Sequence, residues 1–494
     1  MNFQSTRDTS AKKLSAACVI KQGLAADGGL FVPESIPSLT KEDIEALCGM
    51  SYPERAAFVL GRFLTDYTKE ELLADCRAAY SESSFVGGAA PLVKLGDTVH
   101  SLELWHGPTA AFKDMALQIM PRLLSRALVK TGEERTALIL VATSGDTGKA
   151  ALEGYKDIDR IKIMVFYPVD GVSTVQKLQM QTQTGANVNV MAIKGNFDDA
   201  QTGVKRIFAD SDVAEQLNDM GYFLSSANSI NWGRLAPQIV YYVSAYCDLL
   251  SKGELKYGQP MNVTVPTGNF GNIFAAYLAK LMGLPIDRLI CASNKNNILT
   301  DFFKTGTYDR NRDFYLTMSP SMDILISSNL ERLLYFVAGP AKTASYMKDL
   351  NEKGAYTVSP EIKAEIDRHF CGYYADEEMT AKTIRSVMER YGYLADTHTA
   401  VALSAAEQYI AETGDRKPMV VASTASPYKF ASDVYTALYG ESPASPLEAL
   451  DALSNKSGTE IAYPLRGIGE RAVRFTDVTE AGGMKDSVFA YLKK

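Results

Sequence analysis

Lys113 is the residue of this sequence best suited to act as a reactive amine. It follows a Gly107-Pro108 pair, which interrupts the preceding structure, and it stands where a helix is predicted to begin. A helix N-terminus disfavours a cation, and burial lowers the pKa of a lysine further. Both effects favour the neutral amine that forms a Schiff base with a carbonyl compound. The alternative is a solvated lysine in an ordinary first helical turn.

The helix after Lys113 is predicted from the spacing of apolar side chains. These follow the three- and four-residue steps of one helical face: Met115, Ile119, Met120, Leu123, Leu124, Ala127 and Leu128. The sequence therefore predicts one helix that starts near Phe112 and runs through residue 128.

A loop of glycines and hydroxyl-bearing residues, 143–148, directly follows the apolar strand predicted over 136–142. Two glycines, three hydroxyls and the free amides of a helix N-terminus suit a carboxylate or a phosphate. Its glycine spacing differs from that of a Walker A loop. The structural alternative is a tight strand-to-helix turn capped by serine or aspartate.

Two further loops follow predicted strands, and in open α/β sheets ligands bind at the carboxyl ends of strands. Residues 268–272 place two glycines around a turn, so backbone amides can close on a phosphate without obstruction from Cβ atoms. Without a lysine or arginine, this loop suits a phosphate that is held permanently. Thr424 ends the strand over 418–422; its hydroxyl is either a simple cap or a neutral hydrogen-bond partner for a heterocycle nitrogen.

Composition excludes several classes of protein. With a net charge of −7 over 494 residues, the chain lacks the basic surface that nucleic-acid binding requires. None of its six cysteines forms a C-x-x-C pair and its four histidines form no metal motif, so reduced thiols and no bound metal are expected. No apolar signal region or membrane-length apolar run occurs, which predicts a cytoplasmic protein.

The order of predicted elements indicates an α/β fold. Strands alternate with helices from residue 91 to about 300, as in βαβ units with a parallel sheet covered by helices. A long amphipathic helix is predicted over 233–251. The predicted domains are a mainly helical module over 1–88, a catalytic core over 89–435 with a smaller α/β subdomain at about 105–215, and a C-terminal extension over 436–494 that packs on the core.

An amine, a phosphate cradle, a carboxylate cradle and a neutral hydroxyl together match the needs of pyridoxal phosphate. Six motifs extend this interpretation over about residues 5–430: Gly23 to Pro33 (GLAADGGLFVP), His106 to Asp114 (HGPTAAFKD), 143–148 (TSGDTG), Ser225 to Arg234 (SSANSINWGR), 268–272 (GNFGN) and Ser423-Thr424-Ala425. In this order they resemble the threonine synthase family, within the fold type II (tryptophan-synthase-β-like) pyridoxal-phosphate enzymes. The N-terminal module resembles the longer bacterial and fungal form, although Ser426 stands where that form has histidine.

The resemblance implies two open, mostly parallel sheet subdomains and a lyase of threonine biosynthesis. The implied reaction converts O-phospho-L-homoserine and water to L-threonine and phosphate, with Lys113 as Schiff-base and proton-transfer residue. The implied cofactor contacts are Asp146 at the 3′-oxygen, Thr424 at the ring nitrogen, and Gly268, Asn269, Phe270, Gly271 and Asn272 at the phosphate. The implied substrate contacts are Thr143, Ser144, Gly145 and Thr147 for the carboxylate, and Asn228, Arg234 and Lys429 for the phosphate. Arg234 and Lys429 are alternatively surface or helix-end charges.

Two other functions remain open at this point. Another fold type II reaction, such as serine or threonine dehydration or β-replacement on an activated serine, would use the same cofactor. A catalytically silent homologue would bind phosphorylated ligands, although the intact Lys113 argues against it. The chain is expected to act on a small molecule, as a monomer or a homodimer, without a nucleic-acid or membrane partner.

Overall fold

The computed structural model describes residues 1–8, 13–143 and 145–493. The strands are β1 (Phe3–Ser5), β2 (Phe31–Pro33), β3 (Leu92–Lys94), β4 (Val99–Glu103), β5 (Thr136–Ala142), β6 (Ile161–Pro168), β7 (Val188–Lys194), β8 (Tyr222–Ser225), β9 (Met261–Pro266), β10 (Ile286–Ser293), β11 (Thr307–Asp309), β12 (Ala355–Thr357), β13 (Phe370–Tyr374), β14 (Met419–Ser423) and β15 (Val478–Glu480).

The helices connect and cover these strands. They are α1 (Ala16–Gln22), α2 (Lys41–Cys48), α3 (Tyr52–Phe63), α4 (Lys69–Ala79), α5 (Asp114–Leu117), α6 (Met120–Lys130), α7 (Asp146–Tyr155), α8 (Thr174–Gln181), α9 (Phe197–Ala209), α10 (Ser211–Asp219), α11 (Trp232–Leu235), α12 (Pro237–Ser251), α13 (Gly271–Leu281), α14 (Ile298–Thr305), α15 (Leu330–Lys353, interrupted at Gly339), α16 (Pro360–Asp367), α17 (Glu377–Tyr391), α18 (Thr397–Thr413), α19 (Ala431–Tyr439), α20 (Glu448–Ser457) and α21 (Met484–Leu492). Short 3₁₀ turns occur at Pro320–Met322, Pro427–Phe430, Tyr463–Leu465, Ile468–Glu470 and Ala481–Gly483.

The larger sheet has six strands in the order β13-β10-β9-β14-β4-β3. Its strands pair in parallel except for β3, which runs antiparallel to β4 at one edge. Every residue of β9 and β14 is buried, as expected for central parallel strands covered on both faces. The loops after β4, β9 and β14 lie together at the carboxyl ends of the parallel strands of this sheet.

The smaller sheet has five parallel strands in the order β15-β7-β6-β5-β8. It extends beyond the predicted subdomain at about 105–215, because β8 lies after that segment and β15 comes from the C-terminal extension. Helix α21 packs on the same sheet through Met484 and Val488. Two mostly parallel sheets confirm the predicted α/β fold.

The N-terminal region is mainly helical, as predicted. Helices α2, α3 and α4 each begin with a capping box, formed by Thr40, Ser51 and Thr68 with the acidic residue three positions later. The short strands β1 and β2 pair antiparallel. Tertiary contacts between this region and the rest of the chain include the salt bridge between Arg7 and Glu331 of α15.

Two predicted helices are wrong in their continuity. The helix expected from Phe112 through residue 128 is two helices, α5 and α6, and Pro121 lies in the first turn of α6. The helix expected over 233–251 is likewise divided into α11 and α12, and Pro237 begins α12. Proline cannot donate a backbone hydrogen bond and restricts the residue before it, so each apolar face continues while the helix is interrupted.

No helix in the described ranges is long and apolar enough to cross a membrane. All six cysteines fall within those ranges and are free thiols, as predicted.

Candidate active site

The segment that carries Lys113 is bonded to the segment that follows β14. The amide of Phe112 donates to the carbonyl oxygen of Thr424 at 2.8 Å, and the amide of Ser426 donates to that of Ala110 at 3.0 Å. Two motifs that are more than 300 residues apart in sequence therefore lie side by side at the carboxyl edge of the larger sheet.

The Lys113 amine faces acidic and hydroxyl groups. Its Nζ lies 3.6 Å from Oδ2 of Asp146 and donates to Oγ of Ser321 at 3.4 Å. Burial lowers the pKa of Lys113; Asp146 raises it, while the positive charges of Lys429 and Arg234 lower it again. The lowered pKa and its cause in burial agree with the prediction, whereas the positive potential comes from neighbouring cations and not from a helix N-terminus, since α5 has only four residues.

Asp146 is the acidic centre of the site. Lys429 approaches its Oδ1 to 2.6 Å, and Nε2 of Gln176 donates to the same oxygen at 2.8 Å. Burial opposes ionisation, but Lys429 and Lys113 outweigh it and hold the pKa of Asp146 well below its usual range. Asp146 is therefore a carboxylate at any physiological pH.

Lys429 is buried against Asp146 instead of being a surface charge. Its Nζ also donates to the carbonyl oxygen of Thr109 at 3.0 Å. Because this ammonium group is already compensated, it is less available to a substrate phosphate than the sequence predicts. No sequence spacing pointed to the Lys429–Asp146 pair.

The loop after β5 is stabilised from within. Oγ1 of Thr143 accepts hydrogen bonds from the amides of Gly145 and Gly148, both at 3.0 Å. Gly145 has a φ of 149°, and a Cβ atom there would lie 2.5 Å from the Gln176 side chain. Thr147 is half-buried, and Ser144 lies outside the described residues.

The loop after β9 leaves its amides available. Among the described residues, the backbone N–H groups of 268–272 donate no hydrogen bond. Phe270 takes a left-handed conformation with a φ of 65°, and its ring packs into the core against Phe303 and Phe370. Only its backbone therefore faces a ligand. A Cβ atom on Gly268 would lie 2.9 Å from the carbonyl oxygen of Ser321, so this approach requires glycine.

A small cavity joins the loops after β4, β5 and β14. It is lined by Phe112, Asp146, Ser321, His398, Thr424 and Ala425. The structure therefore brings Thr424 and Asp146 to one space next to Lys113, as the sequence predicts.

Ser321 and His398 are site residues that the sequence did not reveal. Nε2 of His398 accepts a hydrogen bond from the Ser321 amide at 3.1 Å, and its Nδ1 lies 2.9 Å from Oδ2 of Asp396. The carboxylate fixes the tautomer with hydrogen on Nδ1. Ser321 lies in a 3₁₀ turn and His398 in the first turn of α18, so neither stands at a strand end that would have marked it as a site residue.

The predicted contacts to a substrate phosphate lie in different environments. Arg234 is buried, donates to the carbonyl oxygen of Ala227, and has an Nε without a partner in the described part of the chain. Burial lowers the pKa of Arg234 to about 10, so it keeps its charge. Asn228 is exposed.

These residues fit pyridoxal phosphate. The site has a largely buried amine of lowered pKa, a loop of unpaired amides, and a buried Asn272 whose Nδ2 lacks a partner among the described residues. Thr424 supplies a neutral hydroxyl, and Asp146 supplies a carboxylate. Fold and site together are those of the fold type II family of pyridoxal-phosphate-dependent enzymes.

Comparisons with known proteins identify the family. The model "Pyridoxal-phosphate dependent enzyme" matches residues 84–425, "Threonine synthase N terminus" matches 2–80 and "Threonine synthase, C-terminal" matches 399–481. Threonine synthase from Pseudomonas aeruginosa is 40% identical over 460 residues, which cover 91% of this chain and 93% of that protein. The chain belongs to the threonine synthase family.

Two other similarities bear on length and fold. Human threonine synthase-like 1 is 42% identical over 442 residues, covering 87% of this chain, and this match spans only 58% of the human protein. The crystal structure of PLP-bound threonine synthase from Brucella melitensis has 37% sequence identity and a TM-score of 0.89, with 100% of both chains covered.

Proposed function

We propose that this chain is a pyridoxal-phosphate-dependent threonine synthase. The reaction converts O-phospho-L-homoserine and water to L-threonine and phosphate, as the last step of threonine biosynthesis. The observation that carries this proposal is the position of Lys113, whose side chain is only 12% exposed and whose amine lies 3.6 Å from Asp146, a carboxyl with a pKa well below its usual range. Membership of the threonine synthase family supports the choice of substrate.

Pyridoxal phosphate, when bound, supplies an electron sink for the negative charge that develops beside the substrate amine. We assign Lys113 as the Schiff-base lysine that holds the cofactor and then, once released, moves protons at Cα and Cβ. Repeated proton transfer requires an amine of near-neutral pKa, which burial and the charges of Lys429 and Arg234 favour.

Asp146 and Thr424 are assigned to the cofactor ring. Asp146 would face the 3′-oxygen, where its ionised form accepts a hydrogen bond. Thr424 would face the ring nitrogen. As a neutral partner, its hydroxyl leaves that nitrogen without a proton and limits side reactions.

We assign the phosphate of the cofactor to the loop Gly268, Asn269, Phe270, Gly271 and Asn272. The free amides of this loop support the assignment, and burial of the Phe270 ring restricts its role to the backbone. The loop has no cation, which suits a phosphate that stays in place.

The substrate contacts are assigned in two groups. Thr143, Ser144, Gly145 and Thr147 would surround the substrate carboxylate. Arg234 is the favoured contact for the substrate phosphate, because its Nε has no partner in the described ranges, whereas Lys429 is compensated by Asp146. Asn228 remains a candidate from its motif and its exposure.

Domain boundaries, location and assembly are also proposals. We propose the module 1–88, the core 89–435 and the extension 436–494, and an enzyme that acts in the cytoplasm as a monomer or a homodimer. Free thiols at all six cysteines support a reducing compartment.

Product analysis tests the reaction. Protein loaded with pyridoxal phosphate should release phosphate and form threonine from O-phospho-L-homoserine. Formation of pyruvate or 2-oxobutyrate from serine or threonine, without phosphate release, would instead support a dehydratase. A preparation that stays colourless after addition of pyridoxal phosphate would support a catalytically silent homologue.

A further inference from the structure

The buried carboxamide of Asn272 is held at one end only. Its Oδ1 accepts hydrogen bonds from the hydroxyls of Tyr241 and Tyr242, at O···O distances of 2.6 and 2.5 Å. Its Nδ2 is also buried, yet no group within residues 1–8, 13–143 and 145–493 pairs with it. Buried amide groups are rarely left without a partner, so this NH₂ group indicates a bound ligand.

Tyr242 decides which end of the carboxamide faces that ligand. Burial raises the pKa of Tyr242, so its hydroxyl keeps its proton and must donate it. In the described structure, Oδ1 of Asn272 is its acceptor. Tyr241 has a second acceptor, Oε1 of Gln238, at 3.0 Å. If the carboxamide were turned over, Tyr241 could still donate to Gln238, whereas Tyr242 would lose its carboxamide acceptor and keep only its contact with the Tyr241 hydroxyl.

Asn272 belongs to the loop over 268–272 whose backbone amides are free, so its side chain and these amides serve the same ligand. We propose that Tyr242 is a positioning residue for the cofactor phosphate. Its hydroxyl fixes Oδ1 of Asn272 on the tyrosine side, which presents the NH₂ group and not the carbonyl oxygen to the phosphate. This inference rests on the proposed function, because it takes pyridoxal phosphate as the ligand of the loop.

The test compares two ligands that differ only by the phosphate group. The full chain and its Tyr242→Phe variant are freed of cofactor, and each is titrated with pyridoxal phosphate and with pyridoxal by absorbance. We expect the Kd for pyridoxal phosphate to rise about tenfold in the variant, the size of one charge-assisted hydrogen bond. The Kd for pyridoxal should not change, because pyridoxal has no phosphate to position.

A matched control is Tyr246→Phe, on the same helix α12. Tyr246 is also fully buried, and its hydroxyl donates to the carbonyl oxygen of Gln259 at 3.1 Å. This variant removes a buried hydroxyl that does not contact Asn272, and both dissociation constants should stay as in the wild type. In an Asn272→Ala background, Tyr242→Phe should cause no further change, because the positioned group is gone.

Three results would overturn the inference. These are an unchanged Kd for pyridoxal phosphate in Tyr242→Phe, an equal weakening of both ligands, and additive effects in the Asn272→Ala background. If Tyr242→Phe fails to fold, Asn272→Asp provides a second test. Its carboxylate still accepts hydrogen bonds from both tyrosine hydroxyls but turns a negative charge to the phosphate. It should weaken pyridoxal phosphate selectively, and unaltered binding would contradict the inference. Wild-type protein that binds no pyridoxal phosphate would contradict the proposed function itself.

Discussion

Lys429 and Asp146 form an ion pair with an Nζ–Oδ1 distance of 2.6 Å, and the exposed fractions of their side chains are 0% and 5%. The pair joins the 3₁₀ turn after β14 to the start of α7, and so connects the two sheets at the site. It also leaves Lys113 beside a carboxylate whose charge is already shared. The reactive amine therefore gains less from Asp146 than an isolated pair would give.

Removing Lys429 should destabilise the protein strongly. Lys429→Met leaves a buried carboxylate with its weaker partner at 3.6 Å, and breaking a buried pair costs about 3–5 kcal/mol. The double variant Lys429→Met/Asp146→Asn removes both charges and should recover much of this loss. Urea unfolding measures the free energy of unfolding of the wild type, Lys429→Met and the double variant. A double variant as unstable as Lys429→Met would show that the unpaired charge is not the cause of the lost stability.

The single variant Lys429→Met should also change the pH dependence of cofactor binding. The Lys113 amine must be neutral to react with an aldehyde, so the association rate of pyridoxal phosphate with cofactor-free protein should rise with pH to a midpoint at its pKa. Loss of the Lys429 charge raises that pKa, which moves the midpoint to higher pH. Stopped-flow absorbance measures the rate.

The control for this shift is Lys194→Met, which removes an exposed lysine paired with Glu480. Its midpoint should equal that of the wild type. A midpoint in Lys429→Met that stays in place or falls would contradict the electrostatic account of Lys113.

Sequence alone predicted β5 and β14 and the loops that follow them. Strand β5 lies where it was predicted, over 136–142, because a strand buried on both faces needs a continuous apolar run. Helix continuity was mispredicted at Pro121 and Pro237, because apolar spacing persists across an interruption of the backbone.

Long-range partners of the site were beyond sequence reasoning. Ser321 lies 208 residues from Lys113 along the chain. Asp146 lies near the start of the core segment 89–435, and its partner Lys429 lies near the end of that segment. Neither contact follows from local periodicity or motif spacing, because each depends on how distant loops meet at the sheet edge. The burial that sets the pKa of Lys113 arises in the same way.

Arg7 should stabilise the packing of the N-terminal region against α15. Its Nε and Nη2 donate to the two carboxylate oxygens of Glu331 at 2.8 and 2.7 Å, and the Glu331 side chain is only 5% exposed. Arg7→Ala should cost about 1.5–3 kcal/mol, the range for hydrogen bonds to charged groups. Lys13→Ala breaks a pair with Glu34 that is far more exposed, and should cost about 0–1 kcal/mol. Denaturation measures both losses. Equal losses in the free energy of unfolding for Arg7→Ala and Lys13→Ala would contradict the difference expected from burial.

Gly268→Ala should weaken cofactor binding. The added Cβ would lie 2.9 Å from the backbone carbonyl of Ser321, so the loop has to move, at a cost of about 1–3 kcal/mol. Gly482→Ala is the control, because its Cβ would meet nothing within 4 Å. Titration with pyridoxal phosphate should show a higher Kd for Gly268→Ala only. An unchanged Kd for Gly268→Ala would mean that the cofactor phosphate does not bind at this loop.

Lys113 should be the amine that holds pyridoxal phosphate. Borohydride reduction of the cofactor-loaded protein, followed by peptide mass mapping of the modified lysine, identifies that amine. We predict modification at Lys113, and none at that peptide in Lys113→Ala, whose circular dichroism should match the wild type. Modification of Lys429 in the wild type, with Lys113 unmodified, would contradict this assignment.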